Sequence, residues 1–99
     1  MRLYLKNFTE SIPDFFRRCG YGFTGREGNE FIFARRLSGQ DYPRFHIYSH
    51  LENGALIVNL HLDQKKPSYD NNRAHSGEYE GELIEQELQR IGNALKKLS

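Results

Sequence analysis

Residues 44–63 read RFHIYSHLENGALIVNLHLD, and this stretch decides the fold. Its two halves alternate apolar with polar side chains, the period of a half-buried strand. Asn53-Gly54 between them is the strongest short hairpin signal, because a two-residue type I′ turn needs positive φ at both central positions. With those two residues as the loop, Glu52 faces Ala55 and every other pair follows in turn. One face then gathers Leu51 with Leu56, Ser49 with Val58, Ile47 with Leu60 and Phe45 with Leu62. The other gathers His50 with Ile57, Tyr48 with Asn59, His46 with His61 and Arg44 with Asp63. A slip of one residue would scramble both faces.

Working outward, Glu30–Leu37 reads as another strand and Ser38–Pro43 as a turn-rich break. Tyr21–Asn29 carries Gly22, Gly25 and Gly28 and reads as a loop. Before it, Ser11-Ile12-Pro13-Asp14 predicts a helix start: a capping hydroxyl, a proline in the first turn and an acid at the capping-box offset. Ile12, Phe15, Phe16 and Cys19 form one apolar stripe, and Gly20 is the expected stop. Cys19 therefore reads as a core residue rather than a nucleophile. Leu3 and Leu5 alternate with Arg2, Tyr4 and Lys6, which allows an edge strand in Met1–Phe8.

Downstream, Gln64–His75 reads as a connection without apolar pattern, long enough to suggest function. The final helix is expected to start between Ser76 and Glu82, with Ile84, Leu88, Ile91, Leu95 and Leu98 as its buried stripe. Glu78, Glu80, Glu82 and Glu85 near its start, and Lys96 and Lys97 at its end, match the helix dipole. The expectation is a single α+β domain over residues 1–99. Its architecture is a two-layer sandwich, a three-stranded antiparallel sheet with two helices on one face, in the order αβββα.

Composition excludes several classes. The chain has 99 residues, room for one core. It holds 7 Phe and 6 Tyr, too many aromatics for a disordered chain. Its single cysteine rules out an internal disulfide framework and a cysteine zinc cluster. No apolar run approaches the ~18–20 residues of a membrane span, and no signal-peptide pattern opens the chain. No membrane partner and a reducing, cytoplasmic setting are the expectation. The formal net charge of +1 gives no footprint for indiscriminate nucleic-acid binding.

The polar face of the hairpin is where chemistry is expected. The plainest reading is a solvated sheet face, the usual outer side of an antiparallel sheet. A sharper reading makes His46 and His61 a catalytic acid/base pair on a phosphodiester, since imidazole exchanges protons near neutral pH. Arg44, Lys65, Lys66 and Arg73 would then contact phosphate, with Tyr48 and Asn59 contacting the rest of an RNA substrate. An alternative reading is a divalent-metal site formed by His46, His61, Asp63 and His75, because imidazole and carboxylate suit zinc, iron or manganese. A further one is a non-enzymatic module that engages a protein through a sheet edge.

Two resemblances bear on these readings. The expected order αβββα is similar to the double-stranded-RNA-binding fold, but Glu78, Glu80 and Glu82 stand where that family places phosphate-gripping lysines. Phe16-Arg17-Arg18-Cys19-Gly20-Tyr21 resembles the first helix of HicA-type toxins, which are ribonucleases of toxin–antitoxin pairs. Phe45-His46-Ile47-Tyr48-Ser49-His50, with Glu52-Asn53-Gly54 and the strand Leu56–His61, resembles their histidine-bearing hairpin. Pro43-Arg44-Phe45-His46 stands where the family has Gly-Ser-His. The resemblance implies RNA cleavage, His46 as catalytic histidine and an antitoxin as protein partner. The block from Asn59 to Tyr79 also looks like a segment of small bacterial proteins, which implies no activity.

Overall fold

Asn53 and Gly54 take φ of 53° and 80°, the two positive values that the turn requires. The hairpin closes on them in the expected register, from Glu52↔Ala55 to Arg44↔Asp63. The computed structural model describes residues 1–64, the backbone of residues 73–96 and the side chains of residues 81–95. Its elements are β1 (Arg2–Leu5), α1 (Ile12–Arg18), β2 (Gly22–Glu27), β3 (Glu30–Arg36), β4 (Arg44–Glu52), β5 (Ala55–Asp63) and α2 (Arg73–Lys96).

The strands form one five-stranded antiparallel sheet in the order β1-β5-β4-β3-β2. The three-stranded sheet of the αβββα expectation is thus corrected to five strands, and α1 follows a strand rather than opening the chain. The added strands have physical reasons. β1 uses the Leu3/Leu5 alternation to pair Leu3 with Val58 and Leu5 with Leu56 at one edge. β2 comes from the glycine-rich stretch expected to be a loop. As an edge strand it needs only one partner, and an irregularity between Phe23 and Gly25 absorbs its broken period.

One face of the sheet carries the core. Phe33, Phe45, Ile47, Leu56, Val58 and Leu60 form a buried cluster with Phe15 and Phe16 of α1 and Leu88 and Ile91 of α2. Ser49 lies among them, and its hydroxyl donates to the Ile57 carbonyl at 2.7 Å. The start of α1 is as expected: Ser11 Oγ accepts from the Asp14 N–H at 3.4 Å. It ends in a Schellman arrangement, with Tyr21 N–H to Phe16 O, Gly20 N–H to Arg17 O and Gly20 at φ 92°. Cys19 is buried, as its place on the stripe requires.

Helix α2 begins at Arg73, earlier than the Ser76–Glu82 window. Leu83, Ile84, Ala94 and Leu95 back its buried pair, while Leu98 falls outside the described residues. Among the described residues, no helix is long and apolar enough to cross a membrane.

Candidate functional site

The hairpin register, extended by β1 and β3, sets the order of side chains on the face opposite the core. His46 pairs with His61 and lies beside Ala34. Tyr48 pairs with Asn59, and Asn59 in turn with Arg2 of β1. Arg44 pairs with Asp63. Directly opposed side chains on adjacent antiparallel strands have Cβ atoms about 5 Å apart, so both imidazoles can reach one phosphate.

Contacts within this set give each group a role. His46 Nδ1 lies 3.1 Å from Asp63 Oδ2. That is ion-pair distance, with the Nδ1 side of the ring toward the carboxylate and the Nε2 side turned away from it. His61 makes no such pair among the described residues and is exposed. The Tyr48 ring stands 5.1 Å from His46 and 6.0 Å from His61, centroid to centroid, and so packs beside both. Arg44 Nε is 3.6 Å from Asp63 Oδ2, beyond hydrogen-bond reach, and is buried without a hydrogen-bond partner among the described residues. The Arg44 guanidinium lies 4.9 Å from the Tyr42 ring centroid.

Of the expected site residues, His46, His61, Arg44, Tyr48, Asn59 and Asp63 come together. The side chains of Lys65, Lys66, Arg73 and His75 lie outside the described residues. Among those described, no group of three or more His, Cys, Asp or Glu side chains is arranged to hold a metal ion. His50 stands apart, with Nδ1 3.1 Å from Glu30 and Nε2 3.5 Å from Glu52.

Sequence reasoning missed Arg2. Its Nε donates to Asn59 Oδ1 at 2.9 Å, which adds a cation to the row of Tyr48 and Asn59. The signal was the alternation of Arg2, Tyr4 and Lys6, but nothing local says that β1 pairs with β5.

A second polar cluster sits on the core side. Glu87 is only 4% exposed. Arg90 donates to both of its oxygens at 2.8 Å and to the Cys19 carbonyl at 2.6 Å. The Tyr21 hydroxyl donates to Glu87, and Arg35 stands 3.7 Å away. Burial alone pushes the Glu87 carboxyl up, but Arg90, Tyr21 and Arg35 together outweigh it and hold the group below the usual carboxylate range. Burial, then the bond to Glu87, pushes the Tyr21 phenol well up. Burial also raises the Cys19 thiol, which keeps it protonated and unreactive. This cluster fastens α2 to the end of α1 and to β3. Each of its groups is satisfied within the fold, so it offers nothing to a ligand.

Compared with known protein families, curated proteins and solved structures, the chain matches none.

Proposed function

We propose that the open sheet face binds single-stranded RNA and cleaves it by acid/base catalysis with His46 and His61. The observation that supports this most is the histidine pair itself: one ring lies against Asp63, the other has no ion-pair partner among the described residues, and both stand on one face. In this reading His46 Nε2 takes the proton of a ribose 2′-hydroxyl. The 2′-oxygen attacks the phosphorus, and the bond from phosphorus to the 5′-oxygen breaks. Protonated His61 gives its proton to that leaving oxygen. The products are a 2′,3′-cyclic phosphate and a 5′-hydroxyl, with one proton moved from His61 to product and one from substrate to His46.

Arg44 neutralises the phosphate through its guanidinium, and Tyr48 stacks a base. Lys65, Lys66 and Arg73, whose side chains lie outside the described residues, are the further phosphate contacts of this reading. The resemblance to HicA-type toxins adds support through the same His46, and on that resemblance the protein partner is an antitoxin. A reducing, cytoplasmic setting suits the lone buried Cys19.

The test is cleavage of an end-labelled single-stranded RNA by the wild type, by His46→Ala, by His61→Ala and by the double variant. Each single variant should lose about 10²–10⁴ in rate, the usual contribution of one positioned acid or base. An all-2′-deoxy strand should stay intact. Cleavage by the double variant at the wild-type rate sinks the reading.

A further inference from the structure

The sheet face carries a groove between β1 and the β4–β5 turn, with a volume of about 510 Å³. That is within the ordinary span of small-ligand sites. We propose that it is a guanine-binding subsite of the RNA-binding face; this rests on the RNA reading above and names a base held on the same face as the histidine pair.

The floor of the groove is apolar. Ile57 is 1% exposed there. Tyr4 pairs with Ile57 across the β1–β5 ladder and is 55% exposed, which offers its ring as a stacking surface beside that floor. Arg2, two residues from Tyr4 on β1, shares its face, and Lys6, just past the strand, also lines the groove. The Arg2 guanidinium is already oriented, by Nε to Asn59 and by Nη1 to the Tyr4 hydroxyl at 3.4 Å, which leaves Nη2 for a phosphate.

The remaining wall selects the base. Glu52 lines the groove with a carboxylate that is 60% exposed, and its ion-pair partner among the described residues is His50 Nε2 at 3.5 Å. A carboxylate accepts two parallel N–H bonds most strongly from two adjacent donors. Guanine offers that pair on its Watson–Crick edge, the ring N1–H and the exocyclic amine. Adenine and cytosine put an acceptor beside their amine, and uracil flanks its one N–H with two carbonyls. A carboxylate at this wall therefore favours guanine and repels the others.

The groove is also held ready. Asn7 at φ 57° turns the chain two residues past β1, and Asn53 and Gly54 form the facing turn. The Phe8 N–H donates to the Gly54 carbonyl at 3.0 Å and ties the two together. Phe8 itself is buried and packs edge-on against Phe15, with centroids 5.4 Å apart. Position supports the link to the histidines. Ile57 and His61 are four residues apart on β5, about 14 Å at the rise of a strand. Arg2, Asn59 and Tyr48 fill the row between, so an RNA strand crossing them reaches the groove within a nucleotide or two of the cleaved bond.

The experiment is an NMR titration of the whole chain with each of the four nucleoside 5′-monophosphates. The guanine nucleotide should shift the signals of Tyr4, Glu52 and Ile57 and bind at least ten times more tightly than the other three. Glu52→Gln and Tyr4→Leu, both at exposed positions, should each weaken it tenfold or more. The His46→Ala, His61→Ala double variant should bind it as the wild type does. Equal binding of all four nucleotides, shifts that miss the groove, or full preference in Glu52→Gln each overturns the subsite. RNA cleavage by a wild type whose groove ignores the guanine nucleotide removes the subsite and leaves the cleavage reading. Guanine binding in a protein that cuts no RNA does the reverse.

Discussion

Tyr21 and Glu87 stand 66 positions apart in sequence, yet the phenol of one donates to the buried carboxylate of the other. The bond joins the residue just after α1 to the middle of α2. Arg90 completes the arrangement by gripping both oxygens of the same carboxylate. Breaking a buried ion pair from one side leaves an uncompensated charge, which costs more than the pair itself contributes. Arg90→Ala is expected to cost about 3 kcal/mol, the low end of that range, because Arg35 stays near and Arg90 is partly exposed. Tyr21→Phe should cost about 1–3 kcal/mol, the loss of one hydrogen bond to a charged group. Urea unfolding of the two variants checks both figures, and a larger loss for Tyr21→Phe than for Arg90→Ala would show that the arginine is not the main partner.

The same cluster sets the pH limits of the fold. The Glu87 carboxyl is held below its usual value in the folded protein. Its stabilisation is therefore complete above the ordinary carboxylate range and is lost as pH falls through that range and below it. Tyr21 has the opposite sign. Its phenol is raised above the ordinary 10.0, so its share is complete below that pH and is lost as pH climbs beyond it. Thermal melts across pH should thus fall at both ends. Tyr21→Phe should flatten the alkaline limb and leave the acid limb standing.

How far these features are legible in sequence depends on whether their causes are local. The β4–β5 register follows from alternation and Asn53-Gly54, both within a few residues. The Ser11 cap and the Gly20 stop are equally local. β2 is not, because GFTGRE gains its strand from β3 and an irregular pairing hides its period. Glu87 is harder still. It precedes Leu88 on a helix and reads as surface, and only distant Tyr21 and Arg35 make its burial tolerable. The histidine pair was visible from the turn, but Arg2 joins that row through a partner 57 positions away.

Gly54 tests the turn that fixes the histidine register. Its φ is 80°, and a Cβ built there meets nothing within 4 Å. The cost of Gly54→Ala is then purely conformational, about 1–2 kcal/mol for an L-residue in left-handed backbone. Gly39 has equally open space but no positive φ, so Gly39→Ala should be neutral or slightly stabilising. Guanidinium unfolding of the pair separates backbone strain from crowding, and equal effects would refute the strain argument.

Asp63 is predicted to act through His46 rather than on RNA. The carboxylate lies 3.1 Å from Nδ1, and in the cleavage reading it sets which ring nitrogen would face the RNA. Asp63→Asn presents an amide that can donate to Nδ1 and so favours the other tautomer. Cleavage should fall about tenfold or more, within the contribution of general acid–base catalysis, while RNA affinity stays within a factor of about two. Asp63→Glu should recover part of the rate. A loss confined to affinity would make Asp63 a structural partner of Arg44 instead.

Salt dependence separates phosphate contacts from all other binding on this face. For a single strand, log affinity falls with log salt at a slope of about 0.7 per phosphate neutralised. Arg2 and Arg44 are the cations of the open face that the hairpin and β1 bring nearest the histidines. Binding of a short RNA, followed by anisotropy with the non-cleaving His46→Ala, His61→Ala variant, should therefore weaken steeply as salt rises. Arg2→Ala and Arg44→Ala should each lower the slope by about 0.7 and the affinity uniformly across sequences. Tyr48→Leu removes a stacking surface and no charge, so it should lower affinity by about 1–3 kcal/mol and leave the slope unchanged. A slope unaffected by either arginine would mean that RNA does not lie across this face.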